Sequence, residues 1–231
     1  MAIELPAASS RRNRKEGATQ ILGSDRRLAA GSAGPPRDTL AIVGAFDDFK
    51  IAFIGTHGVG KTTLCYGLAG RLKRRDVSLE VVHEVARRCP LPINEETGVA
   101  SESWILHTQA AEEIVAETRY PVVICDRSVL DNYVYLLLAS GPRPGLDAWV
   151  DEWMATYDLL VEVPAVESPR ADGVRSEDPG FQRLVEDRLS HELRERGLAS
   201  LRLPPEARAG WLETVEATVL ERLRPPQLSL L

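Results

Sequence analysis

The chain has 231 residues, 44% hydrophobic and 27% charged, with 34 acidic side chains against 28 basic ones for a formal net charge of −6. That length holds one domain or two small ones, and the mix is that of an ordinary globular chain. The acidic balance excludes the broad basic field on which non-specific nucleic-acid binding rests, and no apolar run approaches the roughly 20 residues needed to span a bilayer.

Residues 1–45 are rich in Ala, Ser, Gly, Pro and Arg and show no sustained periodicity. Such a stretch buries too little apolar surface to offset its ordering entropy, so a disordered tail is expected there. It has no continuous apolar segment of the kind a secretory signal carries. The three cysteines, Cys65, Cys89 and Cys125, form no CxxC pair, and a reduced, cytoplasmic location is expected.

A single domain is expected over 46–224, followed by a short tail over 225–231. Lys50–Ile54 is a short apolar run ending at Gly55 and predicts a buried strand. Lys61–Arg74 predicts a helix with Leu64, Leu68 and Leu72 on one face. Leu79–His83 predicts a second strand and Ser103–Thr118 a second helix. Val122–Cys125 is the most apolar strand and ends at Asp126, before a helix over Ser128–Ala139. Gly141–Gly145 breaks the chain, and Leu146, Trp149, Val150, Trp153 and Met154 follow at helical spacing. A fourth strand is expected over Asp158–Val163, a polar loop over Pro164–Pro179 and a helix marked by Phe181, Leu184, Val185, Leu189 and Leu193. A fifth strand over Leu198–Leu203 and a helix from Trp211 to Leu220 complete the pattern. Strands that are apolar throughout, alternating with helices, imply a doubly wound α/β fold with a five-stranded parallel sheet.

Gly55-Thr56-His57-Gly58-Val59-Gly60-Lys61-Thr62 matches GxxxxGK[ST], directly after a predicted strand and before a predicted helix. In such a loop the glycines let backbone N–H groups turn towards phosphate oxygens, and the helix N-terminus adds partial positive charge. Lys61 would bridge the outer phosphates of ATP and the Thr62 hydroxyl would ligate Mg²⁺, with Thr63 next to it on the first helical turn. Asp126, at the carboxyl end of the apolar strand, is the candidate second member of the Mg²⁺ shell.

Glu84 closes the second strand, where ligands gather in a doubly wound sheet. It could take or position the proton of an attacking hydroxyl, with Arg87 and Arg88 a turn away. The loop after the fourth strand carries Arg170, Asp172 and Arg175, and a mobile arginine there could neutralise charge on a transferring phosphoryl group. Asp131 and Tyr133 are further candidates for the substrate wall, and His57 for a phosphate contact. Trp149, Trp153 and Trp211 read as helix-face core. Those faces could also form a homodimer.

Gly55–Thr63, the Glu84-Val85-Ala86-Arg87 segment, the helix carrying Trp104 and Gln109, and Asp126-Arg127-Ser128 occur in that order. Together they resemble the P-loop small-molecule kinases, through two branches: the deoxynucleoside kinases and the AAA-type domains related to the ribosylnicotinamide kinase of NadR. The resemblance spans Lys50 to Leu223. It implies that Glu84 is the base for the phosphate-accepting hydroxyl, that Asp126 lies near magnesium and that Arg127 contacts phosphate or substrate. It further implies that Gln109 hydrogen-bonds a nucleobase beside Trp104, and that Arg170 and Arg175 belong to a lid. Asp126 stands where deoxynucleoside kinases usually have Glu, and Asp172–Arg175 looks more like the NadR-type domains.

The expected activity is ATP- and Mg²⁺-dependent phosphoryl transfer to a hydroxyl of a nucleoside-like small molecule, with neither nucleic acid nor membrane as partner. Two other readings stay open. One is a regulatory ATPase or GTPase, the GTPase form being disfavoured by the lack of an NKxD-type motif. The other is a nucleoside monophosphate kinase using Arg87, Arg88 and Arg127.

Overall fold

Hydrophobic runs too short for helices suit strands of a covered sheet, and five of them line up here. The computed structural model describes residues 48–93, 96–166 and 178–223. The expected tails over 1–45 and 225–231 lie outside the described residues, as do Arg170 and Arg175. The strands are β1 (Phe49–Ile54), β2 (Leu79–Val82), β3 (Val122–Asp126), β4 (Leu159–Glu162) and β5 (Leu201–Arg202). They form one sheet in the order β2-β3-β1-β4-β5, and every pair is parallel.

The helices are α1 (Lys61–Lys73), α2 (Val99–Glu117), α3 (Val129–Ser140), α4 (Pro144–Met154), α5 (Pro179–Glu195) and α6 (Trp211–Arg222). Successive strand residues point to opposite faces, so β1 feeds two cores at once. Ile51 and Phe53 pack with Leu64, Leu68 and Leu72 of α1 and with Trp211, Val215 and Val219 of α6. Ala52 and Ile54 join Leu106 of α2, Leu130 and Tyr133 of α3, Val150 of α4 and Leu189 of α5 on the other face. Covering both faces is what makes the strands read as continuous apolar runs. Among the described residues no helix is long and apolar enough to cross a membrane.

Three details differ from the periodicity. Helix α2 starts at Val99, ahead of its apolar stripe, because the Gly98 N–H donates to Ser101 Oγ (2.9 Å) and caps an extra turn. Helix α4 starts inside the proline–glycine break: Pro144 occupies its first turn, where a missing N–H costs nothing. Strand β5 spans only two residues, although Leu203 N still donates to Glu162 O at 3.0 Å. As an edge strand it has a partner on one side only.

Beneath the sheet's amino end one buried carboxylate of α2 ties in β1, α4 and the turn that follows α4. Glu113 of α2 is fully buried and accepts from Lys50 Nζ (3.2 Å), Trp153 Nε1 (2.8 Å), Tyr157 Oη (2.7 Å) and Gln109 Nε2 (2.8 Å). Lys50 also pairs with Glu117, and its ammonium lies 4.6 Å from the Tyr157 ring centroid. Removing Glu113 would leave buried Lys50 with only the exposed Glu117, and would strip Trp153, Tyr157 and Gln109 of a shared acceptor. Glu113→Ala is therefore expected to lower the unfolding free energy by about 3–5 kcal/mol. Urea titration of variant and wild type measures the loss, and a change below about 1 kcal/mol would show that Lys50 re-solvates instead.

Candidate active site

The loop Gly55–Gly60 joins β1 to α1 at the carboxyl end of the sheet. Gly55 has φ +140°, and a Cβ placed on it would sit 2.5 Å from the Val163 carbonyl oxygen. Only glycine lets the chain leave β1 this close to β4. Gly60 has φ +99° just before the first helical turn. Val59 is buried in the core below, while Thr63 is exposed.

Lys61 folds back over the loop. Its Nζ donates to Gly55 O (2.8 Å) and Thr56 O (2.5 Å). Burial lowers its pKa from 10.5 to about 7, Arg127 adds to the fall, and the acidic groups Asp131, Glu84 and Asp126 oppose it. Thr62 Oγ1 donates to Asp126 Oδ2 at 2.5 Å. The other oxygen, Asp126 Oδ1, is buried without a hydrogen-bond partner among the described residues. A hydroxyl bonded to a carboxylate that keeps one oxygen idle is an oxygen donor set suited to Mg²⁺.

The second cluster starts at Glu84, which follows β2. Its Oε2 accepts from Arg87 Nε (2.8 Å) and its Oε1 from Arg127 Nε (2.9 Å). Arg127 is buried, its guanidinium lies 5.4 Å from the Tyr135 ring centroid, and its backbone adopts φ +97°. Arg127 and Asp126 thus sit side by side and reach different partners.

Asp131 holds the two clusters together. Its Oδ1 accepts from Gly55 N (2.9 Å), at the start of the loop. Its Oδ2 accepts from Ser128 N (2.9 Å) and Ser128 Oγ (2.7 Å), closing a capping box at the start of α3. Arg127 Nη1 lies 3.9 Å from Asp131 Oδ1. The Ser-x-x-Asp spacing is a signal that could have found this cap, whereas sequence reading makes Asp131 a candidate for the substrate wall. Its reach to Gly55 depends on β1 lying beside β3.

His57 ties the loop to the far helix. Its Nδ1 lies 3.3 Å from Tyr135 Oη, its ring stacks on Phe181, and its carbonyl accepts from Gln182 Nε2 at 3.0 Å. A pocket opens between these groups, lined by His57, Glu84, Ala86, Arg87, Ile93, Glu102, Ile105, Arg127, Asn132 and Tyr135. Glu102, Asn132 and Tyr135 were not singled out by sequence, because their approach depends on how α2 and α3 pack. Burial raises the Glu102 pKa to about 7, against the hydrogen bond from Thr97 and the charge of Arg127.

Gln109 and Trp104 are absent from that lining, a departure from expectation. Gln109 is fully buried, and its Nε2 donates to Glu113 Oε1 (2.8 Å) and Arg127 O (3.2 Å). It therefore fastens α2 to the Asp126-Arg127-Ser128 segment. Trp104 is half-buried at the side of α2.

Residues 50–209 match the family described as an AAA domain. The fold is similar to that of thymidylate kinase from Ehrlichia chaffeensis, with a TM-score of 0.55 and 16% identity over 77% of this chain and 100% of that one. It is also similar to deoxyadenosine kinase from M. mycoides with bound dATP, with a TM-score of 0.52 and 14% identity over 76% of this chain and 98% of that one. No curated protein matches the sequence.

The depressed Lys61 pKa has a consequence for stability. In the fold the amine is charged only below about pH 7, while in the unfolded chain it stays charged up to its ordinary value of 10.5. The penalty is therefore complete below pH 7 and disappears as pH rises from 7 to above 10. Lys61→Met is expected to be more stable than wild type by a few kcal/mol at pH 6, with the gap closing by pH 10. Paired urea titrations at the two pH values measure it, and a gap independent of pH would contradict the assignment.

Proposed function

The chain belongs to the AAA domain family, and from that premise we propose that it transfers the terminal phosphoryl group of ATP to a hydroxyl of a nucleoside-like small molecule. The observation that carries this reading is the placement of Glu84 and Arg127 in a pocket whose wall includes His57 of the phosphate-binding loop. A slow switch needs a phosphate loop and no acceptor pocket against it. The similarity in fold to a deoxyadenosine kinase supports the same reading.

The chemistry follows from what each group can do. Backbone N–H groups of the loop and the N-terminus of α1 bind the phosphates of ATP. Lys61 exchanges the carbonyls of Gly55 and Thr56 for phosphate oxygens, which favour its charged form. Thr62 and Asp126 would hold Mg²⁺, which when bound neutralises charge on the outer phosphates. Glu84 accepts the hydrogen bond of the attacking hydroxyl and aligns it, and takes its proton as the new bond forms. Arg127, fixed by Glu84 and by the Tyr135 ring, offers its remaining N–H groups to phosphate or acceptor oxygens.

A nucleoside monophosphate kinase remains the second reading, favoured by the thymidylate kinase likeness and by two arginines at the pocket. Against it, both arginines direct Nε at Glu84. A nucleoside acceptor adds no charge to a pocket that already balances carboxylates against guanidiniums.

Two variants and one product assay test the assignment. Glu84→Gln is expected to bind ATP as wild type does and to lower phosphoryl transfer about 10²-fold or more. Lys61→Ala is expected to abolish ATP binding or turnover. ADP release that depends on added nucleoside supports the kinase, whereas ADP released at the same rate without acceptor would replace it with a regulatory ATPase.

A further inference from the structure

The pocket beside the loop has polar groups that phosphoryl transfer leaves unused. Glu102 is the fourth residue of α2, is 3% exposed and accepts the Thr97 hydroxyl on Oε1. Asn132, in the first turn of α3, is also 3% exposed. Its Nδ2 has no hydrogen-bond partner among the described residues. Both line the pocket, and Ile93 and Ile105 add apolar surface.

A buried amide nitrogen without an acceptor is costly, and the ligand is the natural place to find one. In its ionised form the buried Glu102 carboxylate calls for the opposite, a donor N–H or O–H, and ligand donors favour that form. Apolar side chains between such groups suit the face of a flat ring. An amino group next to a ring nitrogen meets these demands: the amino group donates to the carboxylate, and the neighbouring nitrogen accepts from the amide. In that same pose an edge of carbonyl and ring N–H sets its oxygen against the carboxylate and its N–H against the amide. Gln109, the other polar residue of α2 expected to read a base, spends both donated hydrogen bonds inside the protein.

We propose that Glu102 and Asn132 are the specificity-determining residues of the acceptor pocket, and that they select nucleosides whose base carries an exocyclic amino group. This rests on the phosphotransferase reading above and narrows its substrate class. Glu102 acts on binding of the base, away from the transferred phosphoryl group, so its effect falls on KM.

Matched pairs of acceptors isolate the effect. Cytidine and uridine differ in an amino group against a carbonyl, as do adenosine and inosine. The full chain is assayed with ATP and Mg²⁺ against both pairs and their 2′-deoxy forms. The amino member of at least one pair is expected to win by about tenfold or more in kcat/KM. Glu102→Leu is expected to erase that preference through KM, whereas Glu102→Gln, which keeps a carbonyl acceptor in place, retains it. Asn132→Asp, which replaces the amide donor with an acceptor, is expected to weaken the same preference and covers the case in which Glu102→Leu fails to fold. Equal rates within both pairs, or a preference that survives in Glu102→Leu and Asn132→Asp, would overturn the assignment while leaving the phosphotransferase reading intact. ATP turnover that ignores every nucleoside would overturn both.

Discussion

The register of β1 against β3 is the constraint from which the site follows. Phe53 lies opposite Asp126, so the carboxyl ends of the two central strands stop side by side. The chain leaving β1 must turn at Gly55, under the Val163 carbonyl, and the chain leaving β3 must turn at Arg127. The two turns then touch. Arg127 N donates to Phe53 O at 3.2 Å, and Asp131 accepts from Gly55 N. A slip of one residue would exchange the two faces of β3 and separate Asp126 from Thr62.

Around those turns the protein concentrates charge that it could not bury singly. Lys61, Glu84, Asp126, Arg127 and Asp131 are all buried, and each leans on another of the set. The surroundings are acidic: residues 41–231 carry 30 acidic side chains against 21 basic ones. A polyanionic ligand would therefore be held by local groups rather than by an attractive overall field. The scarcity of lysine points the same way, since one of four falls in the loop and another, Lys50, is consumed by Glu113.

Much of this was legible in the amino-acid sequence. Five apolar runs of strand length located five strands, and the loop motif lay between a strand and a helix as its mechanism requires. Strand-end acids marked Glu84 and Asp126. What the chain could not disclose was distance between elements. Gln109 had the right residue type and the right helix for reading a base, yet it lies two turns further along the same face of α2, against Glu113 and the Arg127 carbonyl. Glu102, seven residues earlier, reaches the pocket with no motif to mark it. Asp131 had a visible cap spacing, and its bond across to Gly55 followed only from strand order. The two-residue length of β5 reflects its place at the sheet edge, which apolar content does not encode.

The backbone at Arg127 is worth following one step further. A non-glycine residue at φ +97° is strained by about 1–3 kcal/mol. Glycine would relax the turn at once, but it would strip Glu84 of a guanidinium and Tyr135 of the cation on its ring. The local geometry asks for the smallest residue and the chemistry asks for one of the largest. Arg127 is therefore a position where the fold's comfort and the site's equipment compete, and the arginine shows which of the two prevails. A chain tuned for heat resistance alone would have to replace Glu84 together with Arg127, since glycine by itself would leave that carboxylate buried without the guanidinium of Arg127.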